Sequence, residues 1–310
     1  MKSLQLNLAG IRSVRSKRLS QNNANLREGG YIMKARTFVQ FALRFTLILI
    51  VLTACSGGVE SNFSLNSDGF NFPAGEPTLF AEETLTTELP LLNQSRVRIE
   101  GVRGDIEIEG RDDTNTVTVI AQKWVGSNSL EDAELNLNKL EILVTDQIDE
   151  VLIQTLHPEN SQGREYIVDY HIILPRDLET EVTVINGDVG VLNVQNRLLV
   201  DAENGNVFLA NISANVIVSL TNGNIDSTMV IPLDGEIRMN VDNGHIDLSL
   251  PTTTSAEFSA SATNGSIITY NLELEATVQT SQSLTGTLGL GEGVIDLGSI
   301  NGNISVVGLD

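Results

Sequence analysis

The chain is poor in the residues on which many exported domains and enzymes depend. Its 310 residues contain one cysteine, Cys55, so no disulfide can form within the chain. Aromatic residues make up only 5% of the sequence, and they form no stripe that would stack on sugar rings. We therefore expect a domain held together by its apolar core alone, which a chain of this length can supply.

Groups suited to catalysis or metal binding are also scarce. The three histidines, His157, His171 and His245, have neither ligand spacing nor a partner cysteine. His245 replaces an Asn or Asp of a repeat, which indicates a structural role. Ser/His/Asp triads, phosphate loops and dinucleotide fingerprints are absent from the sequence. We therefore predict a protein that is not an enzyme, with no catalytic residue, no metal site and no cofactor.

Two alternatives involve the acidic residues. Asp226 and Asp247 stand at equivalent positions of successive repeats, where they could stack and hold a Ca²⁺ ion. A carbohydrate-active β-helix enzyme, of the polysaccharide lyase or hydrolase type, would need such carboxylates next to basic side chains. Arg197 and Arg238 are the only Lys or Arg residues after Arg176, and they lie in different repeats.

Positive charge is missing from most of the chain. Residues 1–54 hold nine of the 19 Lys and Arg residues and one of the 40 acidic residues, which leaves 10 basic and 39 acidic residues and a net charge of −29 for the remainder. Nucleic acids and anionic headgroups attract clustered Lys and Arg, and this charge repels them. The composition therefore predicts no nucleic-acid partner.

The first 54 residues read as a lipoprotein signal peptide, with Met33 as the expected true start. Positive charges at Lys34, Arg36 and Arg44 precede or flank an apolar run of about nine residues, too short to span a bilayer. The run ends in Leu52-Thr53-Ala54-Cys55, which matches the lipobox of bacterial lipoproteins. We expect Cys55 to be acylated, which anchors the protein outside the cytoplasm to the cell membrane or the outer membrane.

Residues 55–77 are rich in Ser, Asn and Gly and predict a flexible tether. Residues 78–310 follow as one repeat domain. Residues 129–140 predict its short helix, with Ser129 as the N-cap and a shared face of Leu130, Ala133, Leu137 and Leu140.

An Asn-Gly step recurs through the second half of this domain, and its glycines advance by 18, 18, 21, 21 and 37 residues. Thr285-Gly286 divides the last interval, which would make it two periods. An apolar residue follows two positions after each glycine. The steps are Asn186-Gly187, Asn204-Gly205, Asn222-Gly223, Asn243-Gly244, Asn264-Gly265 and Asn301-Gly302.

Each unit therefore contains two short strands with period-2 alternation, separated by a corner that tolerates positive φ. Successive units of this kind predict an all-β solenoid in which equivalent residues stack and the asparagines form an internal ladder. The alternative is an antiparallel β-sandwich or meander, in which each Asn-Gly step is a type I′ hairpin turn.

The segments Ile172-Ile173-Leu174-Pro175 and Val182 to Val189, together with Gly104-Asp105-Ile106, resemble a known bacterial family. This is the putative-adhesin β-strand repeat family, a domain family of unknown function. The resemblance implies a right-handed, β-helix-like solenoid on an exported and often lipid-anchored protein, and it supplies no catalytic residues.

These observations predict an adhesin-like binding or structural module of the cell envelope, anchored to the membrane by lipid. Its expected partner is another envelope protein or a polysaccharide. The carbohydrate-active enzyme remains one alternative, and a component of envelope-stress sensing is another.

Overall fold

A computed structural model describes residues 79–310, which form two mixed β-sheets and one helix. The predicted signal peptide, Cys55 and the tether lie outside the described residues. The all-β class and the single short helix of the prediction are confirmed. No helix within residues 79–310 is long and apolar enough to cross a membrane.

The ten-stranded sheet has the order β1-β4-β7-β3-β9-β11-β13-β15-β21-β17. Its strands are β1 (Leu79–Pro90), β3 (Ile106–Arg111), β4 (Thr116–Ser127), β7 (Glu165–Pro175), β9 (Val189–Leu192), β11 (Val207–Ile212), β13 (Ile225–Met229), β15 (Ile246–Pro251), β17 (Ile267–Tyr270) and β21 (Ile304–Leu309).

The eleven-stranded sheet has the order β18-β19-β16-β20-β14-β12-β10-β8-β2-β6-β5. Its strands are β2 (Arg96–Arg103), β5 (Glu141–Asp146), β6 (Glu150–Leu156), β8 (Glu179–Asn186), β10 (Arg197–Asn204), β12 (Asn215–Asn222), β14 (Glu236–Asn243), β16 (Ala256–Asn264), β18 (Leu274–Gln279), β19 (Ser283–Leu288) and β20 (Gly293–Asn301).

Each Asn-Gly step joins a strand of the eleven-stranded sheet to a strand of the ten-stranded sheet, so none of them is a hairpin turn. Such a strand pair is called a coil below, and Gly104 supplies the corner of the first coil. Neighbouring coils pair in parallel, with asparagine opposite asparagine. Antiparallel pairs occur between outer strands of both sheets, such as β1 with β4 and β18 with β19.

The spatial order of the coils departs from their order in the chain. The last coil, β20 and β21, lies between the coil of β14 and β15 and the coil of β16 and β17. Asn301 therefore pairs with both Asn243 and Asn264. Thr285-Gly286 is no corner, contrary to the prediction, because both residues lie inside β19.

The core runs through the stack between the two sheets. The apolar residue two positions after each corner glycine points inward, so Val189, Val207 and Ile225 are buried above one another on adjacent strands. One cluster of buried residues includes side chains from both sheets. The alternation in the sequence therefore has a direct cause, because each strand has one face on this core and one in water.

The corner glycines allow adjacent coils to approach closely. Gly223 has φ +141°, and a Cβ atom built on it would lie 1.7 Å from the carbonyl oxygen of Gly205. A side chain at this position would therefore clash with the neighbouring backbone and would also be strained by the positive φ.

Helix α1 (Leu130–Leu137) closes one end of the stack by contacting β1 and β4. Ser129 is its N-cap, and the Ser129 hydroxyl accepts a hydrogen bond from the Asp132 backbone N–H at 3.2 Å. The helix ends three residues earlier than predicted. Its predicted apolar face is also wrong in part, since the buried helix residues are Ala133 and Asn136 while Leu130 is exposed.

Candidate functional site

The corner asparagines form a continuous amide ladder along the stack. Asn222 donates from Nδ2 to Asn204 Oδ1 at 2.9 Å, and Asn243 donates in the same way to Asn222 Oδ1 at 2.9 Å. The ladder continues as Asn301 donates to Asn243 Oδ1 at 2.8 Å and Asn264 donates to Asn301 Oδ1 at 2.9 Å. All six asparagines are exposed, so the ladder lies on the outer surface. The expectation of an internal ladder was wrong.

A second ladder involves the residue that follows each corner glycine. Its side chain accepts a hydrogen bond from the backbone N–H of the equivalent residue on the next coil. Asp188 Oδ1 accepts from Asn206 N at 2.7 Å, and Asn224 Oδ1 accepts from His245 N at 3.0 Å. His245 acts in the same way, because its Nδ1 lies 2.9 Å from Asn303 N.

These two ladders have a structural role in the geometry. The corner amides and carboxylates satisfy backbone and side-chain groups of adjacent coils, and this pairing holds the coils in register. The twelve predicted corner residues are therefore brought together as a spine, while the predicted lipidation residue Cys55 lies outside the described residues.

Asp226 and Asp247 are neighbours on the paired strands β13 and β15, as the calcium hypothesis requires. They do not belong to a larger ligand group, because no set of three or more His, Cys, Asp or Glu residues within residues 79–310 is placed to hold a metal ion. A pair of carboxylates offers too few oxygens for Ca²⁺, which takes six to eight.

Each of the two arginines considered for the carbohydrate-active alternative forms an ion pair with a nearby glutamate. Arg197 pairs with Glu179 at 3.6 Å, and Arg238 pairs with Glu236 at 2.5 Å. The two arginines lie on β10 and β14, which are separated by β12. The structure therefore does not bring Arg197 and Arg238 together at one carboxylate cluster.

Polar contacts connect the strands and the helix at the end of the stack that carries α1. Lys123 Nζ lies 2.6 Å from Glu83 and donates to the carbonyl oxygen of Leu140 at 3.3 Å. Arg164 and the Ser127 hydroxyl hold the pKa of Asp132 well below its usual range. The alternation pattern that predicted strands carries no information on these contacts, which connect residues distant in the chain.

Tyr170 lies in the core near the same end. Burial raises the pKa of Tyr170 to about 12, although the hydrogen bond with Thr155 acts in the opposite direction. The Tyr170 hydroxyl and the Thr155 hydroxyl are 2.7 Å apart. The phenol is therefore a satisfied core group and does not face solvent.

The opposite end of the stack offers clefts and exposed side chains that the sequence analysis did not single out. A cleft of about 380 Å³ crosses β14, β20, β16, β19 and β18, and Arg238, Glu257, Asp296 and Thr285 line it. A second cleft of about 310 Å³ is lined by Thr252, Thr253, Thr254, Glu273, Leu274, Glu275 and Gly289.

Two large side chains are exposed on the outer strand of the other sheet. Ile268 is 61% exposed and Tyr270 is 73% exposed, and both lie on β17, the last strand of the ten-stranded sheet. The only hint in the sequence is that they occupy outward positions of an alternating strand.

The fold and its surfaces define a class of parallel-stacked β proteins without an evident catalytic centre among the described residues. Residues 64–307 match the family model Toastrack DUF4097, and the chain belongs to that family. This confirms the resemblance to the putative-adhesin β-strand repeat family, a domain family of unknown function. Comparison with curated proteins found no match.

Several solved structures are similar to this chain. A putative cell adhesion protein from Clostridium sporogenes has a TM-score of 0.43 and 13% identity, with 74% of this chain and 100% of that chain covered. A putative adhesin from Bacteroides fragilis has a TM-score of 0.31 and 11% identity, with 76% and 99% covered. A putative lipid binding protein from Parabacteroides distasonis has a TM-score of 0.26 and 14% identity, with 73% and 97% covered.

Proposed function

We propose that this protein is a lipid-anchored β-solenoid of the bacterial cell envelope that acts as a non-enzymatic, adhesin-like binding module. Cys55 is the proposed acylation site, and residues 55–77 are the proposed tether. The partner is another envelope protein or a polysaccharide, outside the cytoplasm.

The observation that carries this proposal is the difference between the two ends of the stack. The described chain enters at β1, which is the outer strand at one edge of the ten-stranded sheet. The exposed side chains Ile268 and Tyr270 lie at the other edge, on β17, and the two clefts reach β18, which is the outer strand of the eleven-stranded sheet. Ten strands spaced by about 4.8 Å separate the two edges by about 43 Å. A tether on the β1 side would therefore present the clefts on the side away from the membrane.

The stack also suits a role in display. Its coils are connected by backbone pairing in both sheets and by the two side-chain ladders. Because each coil is fixed to its neighbours, the β17 end is held at a set distance from β1. A rigid spacer of this kind needs no catalytic group, which agrees with the dispersed arrangement of Arg197 and Arg238.

Membrane fractionation of cells that express the full chain or a Cys55→Ser variant tests the anchor. We expect the full chain in the membrane fraction with a mass increase from acyl chains, and the variant without either property. Binding of the purified full chain to isolated envelope polysaccharide and to detergent-solubilised envelope proteins tests the second part. Failure to bind either preparation would contradict the binding function, and an unmodified Cys55 would contradict the anchor.

A further inference from the structure

The larger cleft, of about 380 Å³, lies on the outer face of the eleven-stranded sheet. It crosses five neighbouring strands in the order β14-β20-β16-β19-β18, so the last coil contributes β20 to its centre. Five strands spaced by about 4.8 Å give the cleft a length of about 19 Å across the strands. The cleft is therefore elongated along the stack, and its floor is a continuous sheet.

One row of outward side chains crosses the larger cleft, and the strand register fixes its members. Asp296 is paired in register with Arg238 on one side and with Ser259 on the other. Ser259 is paired in turn with Thr285, and the hydroxyl groups of Thr285 and Thr277 are 3.1 Å apart. All five residues line the cleft. Because paired residues on adjacent strands share a face, these side chains lie on one surface.

This row offers unused hydrogen-bonding groups of both kinds. Arg238 donates from Nε to Glu236 at 2.5 Å, and its two terminal amino groups have no hydrogen-bond partner among residues 79–310. Within the same range, the Asp296 carboxylate and the Ser259 hydroxyl make no side-chain hydrogen bond or ion pair. Donors, an acceptor and a hydroxyl, which can act as either, therefore follow one another along the cleft.

A second row beside the first adds an apolar contact. Val294 is 43% exposed and is paired in register with Glu236 on one side and Glu257 on the other. Both carboxylate oxygens of Glu257 lie 3.3 Å from the Thr287 hydroxyl, which donates to them. The cleft therefore combines one small apolar surface with a longer polar one.

These features select a ligand by its chemistry. A sugar hydroxyl both donates and accepts, so neighbouring hydroxyls of one sugar can bond to Arg238 and Asp296 together, while the C–H face of the ring contacts Val294. An anionic polysaccharide is disfavoured, because Glu257 and Asp296 outnumber the single cation. A peptide strand finds no free sheet edge at the centre of the cleft, because β20, β16 and β19 are paired on both sides.

We propose that the larger cleft binds a neutral polysaccharide of the cell envelope through the hydroxyl groups of its sugars. This inference rests on the proposed binding function and specifies its ligand class. Arg238, Asp296 and Ser259 form the centre of the site, and the polymer lies across the strands. Phe258, the aromatic residue among those that line the cleft, is buried, so the affinity comes mainly from hydrogen bonds and is modest.

The test uses the purified full chain and isolated envelope polysaccharide, separated by anion exchange into a neutral and an anionic fraction. Each fraction is immobilised, and binding of the protein is measured by surface plasmon resonance. We expect binding to the neutral fraction, with the same affinity at low and high salt because the ligand carries no charge. Binding to the anionic fraction alone, or binding that disappears as salt is raised, would overturn the inference.

Two variants probe the centre of the larger cleft. Asp296→Asn keeps the shape of the side chain and removes the charged acceptor, for which we expect about tenfold weaker binding. Ser259→Phe fills the middle of the cleft without a change of charge, and we expect a loss of binding greater than about tenfold. Both side chains point outward from their strands, so circular dichroism should show the same fold in each variant.

Matched variants on the same face of the same sheet separate a site from a general effect of the substitutions. Asp201→Asn on β10 and Ser219→Phe on β12 change exposed residues outside the cleft. We expect both to bind the neutral fraction as the unaltered protein does. Equal losses in the distant and local variants would overturn the assignment of the cleft as the site.

The outcome also distinguishes this inference from the function on which it rests. If the full chain binds solubilised envelope proteins and not the neutral polysaccharide, the inference about the cleft is wrong and the binding function stands. If it binds neither polysaccharide fraction nor the envelope proteins, both are wrong.

Discussion

Replacement of Gly223 by alanine tests the close contact between coils most simply. The corner residue has φ +141°, and its new Cβ would lie 1.7 Å from the carbonyl oxygen of Gly205, where ordinary contacts begin near 3.4 Å. The backbone strain costs about 1–3 kcal/mol, and the overpacking costs about 1–3 kcal/mol. We therefore expect Gly223→Ala to lower the free energy of unfolding by about 4 kcal/mol in total.

Gly163→Ala is the matched control. Gly163 also has a positive φ, +81°, but a Cβ atom there would meet nothing within 4 Å. Its expected cost is therefore only about 1 kcal/mol, from the backbone conformation. The assay is urea unfolding followed by circular dichroism, in which a difference of about 3 kcal/mol between the variants separates their midpoints by about 1.5 M. Equal midpoints for the two variants would refute the contact between adjacent corners.

Substitutions at Asn222, His245 and Tyr170, with controls, test the ladders and the core. Asn222→Ala breaks the amide ladder in its middle and should lower the free energy of unfolding in urea by about 1–2 kcal/mol. The control Asn240→Ala, at an exposed position outside the ladder, should lower it by less than about 0.5 kcal/mol. Equal losses would show that the amide ladder does not stabilise the fold. His245→Asn keeps an acceptor for the Asn303 N–H and should unfold at the same urea concentration as the unaltered protein, whereas His245→Ala should cost about 1 kcal/mol. Burial raises the pKa of Tyr170 to about 12, whereas the pKa of tyrosine in the unfolded chain is near 10. The protonated Tyr170 phenol therefore contributes fully to stability below about pH 10, and this contribution is lost as pH rises from about 10 to 12. Tyr170→Phe should therefore flatten the alkaline decrease in melting temperature, and an unchanged alkaline decrease would contradict the buried assignment.

The Asn-Gly steps were sufficient to predict where the chain turns, for a physical reason. A corner needs glycine because adjacent coils approach within the space of a Cβ atom, and it favours asparagine because the amide bonds to its equivalent on the next coil. Both requirements apply to residues at a regular spacing, so they produce a repeat that is visible in the sequence. The alternation on each side of the corner has the same origin, because each strand lies between the core and water.

The sequence contains no comparable pattern that predicts the spatial order of the coils. Asn264 follows Asn243 by 21 residues, the same interval as between Asn222 and Asn243, so spacing alone favours direct stacking of β16 on β14. In the structure the coil of Asn301 lies between them. Every coil presents the same kind of edge to its neighbours, and the sequence pattern therefore cannot distinguish one stacking partner from another.

The larger cleft was missed for a related reason. Arg238, Asp296 and Ser259 belong to three different strands, and only the insertion of β20 between β14 and β16 brings them into one row. The alternation within each strand predicts that these side chains point outward, but it contains no information on which strands are neighbours.

Disulfide trapping tests the central claim, the parallel stack with its inserted last coil. In a Cys55→Ser background, Asn243→Cys with Asn301→Cys places two cysteines on adjacent strands about 4.8 Å apart, within the Cα range of about 4.4–6.8 Å that a disulfide requires. We predict an intramolecular disulfide in this variant, seen by mass spectrometry under mild oxidation. Asn243→Cys with Asn264→Cys should remain reduced, because β20 separates the two strands. The reverse result would show coils stacked in chain order and would contradict the architecture on which both proposals rest.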